Sequence, residues 1–133
     1  MLTHASIIPL IGGETLGQEM AFGTPPEYLL SYSPFAGNDS HLVNYYRNVK
    51  KIDIPYLLID KGETHPKQVD VVNAVPPCAG LSQLSRKCNS DSAVNDWLYI
   101  STEYVLSKME PKVLWGENSV NLILKLGVPV VEK

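Results

Sequence analysis

Apolar residues along this chain come in short runs separated by amphipathic stretches, the pattern expected when strands alternate with helices. "ASIIPLI" (5–11) predicts a first strand, with Pro9 in its middle. "GGETLGQEMAF" follows as a glycine turn opening a short helix, with Leu16 and Met20 on one face. "EYLLSYS" predicts a second strand. "NDSHLVNYYRNV" predicts a second helix, capped by Asp39 or Ser40, with Leu42, Tyr45 and Tyr46 turned inward. "IPYLLID" gives a third strand. "VDVVNAV" gives a fourth, a β-branched run ended by Pro76 and Pro77, which donate no ladder hydrogen bond. Residues 78–91 read as a polar loop. A long helix from Ser92 to Glu110 then carries Val94, Trp97, Leu98, Val105 and Met109 at helical spacing and stops at Pro111. "KVLWGEN" predicts a fifth strand leading into the helix "SVNLILKLG", and "VPVVEK" a sixth.

Strands and helices alternating at this spacing predict an α/β fold with three layers, a doubly wound and mostly parallel sheet. Residues 1–133 read as a single domain, with no internal repeat or linker. In such sheets ligands bind beyond the carboxyl ends of the strands. The assignment puts four features there: the Gly12-Gly13 turn, Asp60, the Pro-Pro-Cys corner at 76–78, and Glu117-Asn118.

Composition narrows the function classes. With 133 residues, 44% of them hydrophobic and 19% charged, the chain is large enough for a real core and reads as an ordinary globular domain. A formal charge of −3 lends no support to a duplex-binding face. No signal peptide or membrane-length apolar run is legible. Two cysteines, Cys78 and Cys88, do not make a disulfide framework, so the expected compartment is a reducing, cytoplasmic one, whether bacterial, phage or otherwise intracellular.

Each candidate has a plain reading beside a chemical one. Gly12-Gly13 is a tight strand-to-helix turn, or a place where a ligand meets a helix N-terminus. Cys78 is a packed cysteine, one end of a disulfide with Cys88, or a nucleophile presented where a strand gives way to a loop. No metal site is expected, because His65, Cys78 and Cys88 lack paired ligand spacing. Glu117 either favours the dipole of the helix it enters or is a buried acid with a raised pKa. The loop bearing Ser82, Gln83, Ser85, Arg86 and Lys87 is a solvated loop, or a flap that closes over a polyanion.

In order, these residues resemble the catalytic half of DNA (cytosine-5) methyltransferases. "PPCAGLS" is similar to that family's Pro-Cys loop, P-P-C-Q-G-F-S, and follows a "DVV"-type strand as it does there. "GENS" resembles the family's Glu-Asn-Val motif, after a strand, "EPKVLWGEN", like the one that precedes it. "IGGETLGQEM", "NDSHLVNYYRN" and "LLID" resemble the first three motifs more loosely. The resemblance implies a Rossmann-like S-adenosylmethionine-dependent methyltransferase fold, incomplete in this chain. It implies cytosine flipped out of duplex DNA, a Cys78 thiolate adding to carbon 6, Glu117 holding N3, and methyl transfer to carbon 5. Asn118 would order Glu117, and Ser82, Ser85 and Arg86 would lie in the loop that closes on DNA. The cofactor would meet Gly12, Gly13, Asp60, Pro77 and Leu98.

The sequence also departs from that family. Its first motif, D-x-F-x-G-x-G-G, is met here by Ser6, Ile8 and Leu10 at the Asp, Phe and first Gly. The ribose-binding glutamate aligns with Gly37, leaving Asp39 as a nearby substitute, and Ala79 follows the cysteine in place of glutamine. Nothing matches the later Q-x-R-x-R motif, a target-recognition domain or the returning C-terminal helix. The expectation is therefore a catalytic half that needs a complementary chain or C-terminal half. The rival expectation is a non-catalytic methyltransferase-like module that binds a partner protein.

Overall fold

The computed structural model describes residues 2–75 and 96–116. Five strands, β1 (His4–Ile7), β2 (Leu29–Ser31), β3 (Tyr56–Leu58), β4 (Val71–Ala74) and β5 (Val113–Gly116), form one sheet in the order β3-β2-β1-β4-β5. Every pairing is parallel. Helix α1 (Gly13–Phe22) joins β1 to β2, and α2 (Ala36–Asn44) joins β2 to β3, extended by a π-helical turn at Tyr45–Val49. The chain then returns to the far side of β1 for β4, and α3 (Asp96–Tyr104), extended by a second π-helical turn at Val105–Met109, precedes β5. This is the expected α/β, Rossmann-like architecture. The predicted last helix and sixth strand lie outside the described residues.

Parallel strands covered on both faces must alternate two kinds of burial rather than inside and outside. Ala5 and Ile7 of β1, Leu30 of β2, and Val72 and Ala74 of β4 point into one cluster, closed by Val105 and Met109 beyond α3, with Trp97 packed against it. On the other face Leu29, Leu42, Val43, Tyr46 and Ile54 form a second cluster under α2. Between sheet and α1 the burial is polar instead. Thr15, Gln18 and Glu19 are the buried residues of that helix. Ser6 Oγ lies 2.9 Å from Thr15 Oγ1. The His4 ring donates from Nε2 to the Thr24 carbonyl at 2.7 Å and accepts at Nδ1 from Gln18 at 2.9 Å. Trp115 of β5 donates to Gln18 Oε1 at 2.7 Å, so one glutamine ties the first strand to the last described one.

Three expectations are corrected. Met20 is 84% exposed, because α1 buries its Thr15–Gln18–Glu19 stripe, with Leu16 at its margin against the second cluster. Tyr45 faces solvent while Tyr46 is fully buried. Neither Asp39 nor Ser40 caps α2, which begins earlier at Ala36, after a 3₁₀ turn at Ser33–Phe35 with Pro34 in its first positions. Ser40 instead bonds back to the Gly37 carbonyl. The first strand also stops at Ile7, since Ile8 takes a positive φ.

The correction at α1 is measurable. Leu30→Ala, at a side chain only 1% exposed, is expected to lower the free energy of unfolding by about 2–5 kcal/mol. Met20→Ala is expected to stay within about 0.5 kcal/mol of the parent. Urea unfolding of both variants checks this.

Candidate active site at the carboxyl edge of the sheet

A doubly wound sheet offers a ligand crevice where the connections from two neighbouring strands diverge to opposite faces. Here those strands are β1 and β4. Helix α1, after β1, covers the face that carries His4 and Ser6, and the chain that leaves β4 leads to α3 on the opposite face. The predicted Gly12-Gly13 turn lies at this crevice, immediately before α1.

The turn from β1 into α1 is unusual in its backbone. Ile8, Leu10 and Gly12 all take positive φ, at 51°, 54° and 96°. Gly12 has two reasons to be glycine. Its φ suits a residue without a Cβ, and a Cβ there would sit 2.5 Å from Leu42 Cδ1. Ile8 and Leu10 have no such freedom, and each such residue costs on the order of 1–3 kcal/mol. Hydrogen bonds hold the shape. Ile8 N–H donates to Leu30 O at 2.8 Å and Gly12 N–H to Pro9 O at 3.1 Å. Leu10 N–H donates to Asp39 Oδ1 at 2.8 Å. The sequence departure at Leu10 is therefore one of side chain, since the backbone keeps a conformation glycine adopts freely. No side chain caps the N-terminus of α1.

Asp39 is fully buried, and the Tyr56 hydroxyl donates to its Oδ2 at 2.6 Å. Burial holds this carboxyl above its usual value, against the opposing pull of the Ser31 and Tyr56 hydroxyls and the Leu10 N–H. A raised folded-state pKa means that the folded protein holds this proton more tightly than the unfolded chain. The stability Asp39 contributes is thus complete below the unfolded value of 3.8 and is lost as pH rises through the folded value. Asp39→Asn, which cannot ionise, removes that dependence. The unfolding free energy of the parent minus that of Asp39→Asn is expected to fall with rising pH and then level. Urea titrations from acid to neutral pH measure it, and a flat difference contradicts it.

Asp60 lies just past β3 in a 3₁₀ turn at Ile59–Lys61, exposed. The Ser33 hydroxyl and N–H, the latter donating to Oδ1 at 2.9 Å, hold its carboxyl below the usual range. Asp60 thus ties the tip of β3 to the segment leaving β2. Gly37, where the resemblance expects the ribose-binding acid, lies inside α2, and Asp39, the nearby substitute, is fully buried and accepts from Leu10 and Tyr56. Tyr32 packs on Trp97 with ring centroids 5.0 Å apart, and its buried hydroxyl is pushed up to about 12.

The other predicted residues divide simply. Leu98 belongs to α3, and its side chain is outside the described part of the structure. Pro77, Cys78, Ser82, Ser85, Arg86, Glu117 and Asn118 lie outside the described residues. The strands that lead to them are described. Ala74 and Gly116 are the final residues of β4 and β5 and are direct partners in the register. The approach there is close: a Cβ on Gly116 would lie 2.5 Å from the Ala74 carbonyl oxygen. The chain thus leaves two neighbouring strands side by side, Val75 leading toward the Pro-Pro-Cys segment and Gly116 directly preceding Glu117.

Sequence reasoning missed the Tyr56–Asp39–Leu10 chain of hydrogen bonds, because nothing in "NDSHL" marks an inward carboxylate inside a helix. It also missed Asn73, fully buried on β4 in register with Ser6 and Trp115, with neither amide atom hydrogen-bonded. A polar residue amid "VDVVNAV" was the available signal. Among the described residues no cluster of metal-ligating side chains occurs, and no helix is long and apolar enough to cross a membrane. No protein-family model matches the sequence, and no curated protein matches it.

Proposed function

We propose that this chain is the N-terminal catalytic half of a DNA (cytosine-5) methyltransferase, acting in a reducing intracellular compartment and completed by a C-terminal half or a second chain. One observation carries the reading: the Ala74–Gly116 pairing, which brings the strands feeding "PPCAGLS" and "GENS" to one edge as neighbours. Two motifs about forty residues apart in sequence would have no reason to cooperate unless their strands paired.

In this reading the Cys78 thiolate adds to carbon 6 of a flipped cytosine, forming a carbon–sulfur bond and pushing the ring electrons toward carbon 5. Glu117 holds the ring at N3 and offsets the charge that develops there. Asn118 orders Glu117. Once carbon 5 carries the methyl group, with the electron pair of the broken methyl–sulfur bond left on the donor's sulfur, a water takes the carbon 5 proton and the C–H electrons expel the Cys78 thiolate and restore the ring. S-Adenosylmethionine supplies the electrophilic methyl group that carbon 5 accepts. Gly12 and Gly13, at the start of α1 where no side chain caps the helix, would hold its amino-acid end, a helix N-terminus being favourable for a carboxylate. Asp60, which accepts from the Ser33 N–H at one carboxylate oxygen, would meet the adenine. Pro77 and Leu98 would line the same site, and Ser82, Ser85 and Arg86 would contact DNA.

Transfer of tritium from labelled S-adenosylmethionine to duplex DNA tests this, with and without a complementary chain carrying a Q-x-R-x-R motif. Transfer is expected only from the pair. Robust transfer by the lone chain would overturn the half-enzyme reading.

The alternative, a non-catalytic module that binds a partner protein, is favoured by Gly37 in place of the ribose-binding acid, with the substitute Asp39 engaged by Leu10 and Tyr56, and by Val113 and Trp115, which are exposed on β5. It predicts that no combination of chains methylates DNA.

A further inference from the structure

We propose that Asp39 is a positioning residue for the carboxyl-edge site, fixing the β1–α1 turn by holding the Leu10 N–H. This rests on reading the turn as one wall of a cofactor site. Three residues of the turn take left-handed backbone, and the amide of each is hydrogen-bonded. Main-chain carbonyls hold two of them, Ile8 by Leu30 O and Gly12 by Pro9 O. Leu10 alone is held by a side chain, and that side chain comes from α2.

The same face of α2 shapes the turn twice. Leu42 stands three residues after Asp39, one helical turn on, and its methyl groups fill the space that a Cβ on Gly12 would take. Asp39 thus bonds the turn at Leu10 while Leu42 supports it at Gly12. The carboxylate is itself fixed from β3, where Tyr56 donates to its other oxygen and packs its ring against the second cluster. Ser31 of β2 faces the same carboxylate, and Asp60 acts electrostatically on Tyr56 from beyond β3. The turn after β1 and the first residue of β3 are thereby joined through one buried acid on α2. Leu10 lacks a glycine's freedom to adopt this backbone, and its side chain packs on the first cluster.

Amide hydrogen exchange resolved by NMR, on the full chain, tests the proposal. In Asp39→Ala the Leu10 amide is expected to exchange faster by roughly tenfold or more, the scale of one lost charge-assisted bond. The Ser6 and Ile7 amides of β1 are expected to keep parent rates. Asp39→Asn retains a carbonyl acceptor and is expected to restore most of the Leu10 protection. Tyr56→Phe, a milder change, is expected to give a smaller acceleration at the same amide and serves if the alanine variant does not fold. Unchanged Leu10 exchange in both variants, or acceleration spread evenly over β1, would overturn the proposal. Calorimetric titration with S-adenosylmethionine supplies the second readout. Weakening in Asp39→Ala with recovery in Asp39→Asn supports positioning, and equal affinity in all three proteins overturns it. A parent that binds no S-adenosylmethionine, with Leu10 exchange behaving as expected, removes the cofactor reading while the hold on the turn stands.

Discussion

If this chain is the catalytic half proposed above, replacing Cys78 by alanine is expected to abolish methyl transfer by it and its complementary chain, lowering the rate by roughly 10⁶-fold, the scale on which removal of a covalent nucleophile acts. The reason is chemical. Carbon 5 of cytosine is a poor nucleophile until a group adds to carbon 6, and an alanine cannot make that bond. Cys78→Ser keeps the size but raises the pKa of the attacking group far above neutrality, so it should behave nearly as alanine does. Glu117→Gln is expected to cost less, on the order of 10²–10⁴-fold, since an amide still hydrogen-bonds N3 but cannot share its proton. Single-turnover tritium transfer, with DNA binding measured in parallel, separates loss of chemistry from loss of binding. A Cys78→Ala pair that still methylates would show that the cysteine is a packing residue.

Gly116→Ala is expected to destabilise the sheet by about 1–3 kcal/mol or more, well beyond an ordinary surface change. The added carbon would lie 2.5 Å from a main-chain oxygen of Ala74, and a carbonyl in a ladder cannot swing aside as a flexible side chain can. Relief requires β4 and β5 to separate at the edge from which the "PPCAGLS" and "GENS" segments depart. On the proposed function, methyl transfer with the complementary chain should therefore fall more than stability alone explains. Gly17→Ala is the contrast: nothing lies within 4 Å of its new Cβ, and α1 should gain stability by about 0.5–1 kcal/mol. Urea unfolding of both variants gives the comparison. A Gly116→Ala protein as stable as its parent would mean that the strands part more easily at this edge than their geometry implies.

The sheet was readable because its strands are short β-branched or aliphatic runs ended by turn residues. "VDVVNAV" and "KVLWG" became β4 and β5, and "PYLLI" contains β3. The parallel order follows from helices between strands, and Gly12-Gly13 marked the turn into α1. What was not legible came from tertiary contacts overriding local pattern. Met20 sits at helical spacing from Leu16, yet a polar stripe wins the buried face because His4 and Trp115 offer hydrogen bonds to Gln18. Asp39 reads as a cap from its neighbours alone, and only the packing of α2 over the β1–α1 turn makes it an internal acceptor. The positive φ values of Ile8 and Leu10 carry no sequence signal at all, because these residue types normally avoid them. Of the candidate site, the Gly12-Gly13 turn and Asp60 fall at the carboxyl edge as expected. The paired ends of β4 and β5 give Cys78 and Glu117 neighbouring points of departure.

The most direct measurement is covalent capture. Duplex DNA carrying 5-fluorocytosine, incubated with S-adenosylmethionine, this chain and a complementary C-terminal chain, halts the reaction at the stage where fluorine blocks proton loss from carbon 5. The account predicts a denaturant-resistant adduct whose mass places the DNA on Cys78, absent when the complementary chain is withheld and absent in Cys78→Ala. An assembled complex that binds the duplex yet yields no adduct on Cys78 would contradict it.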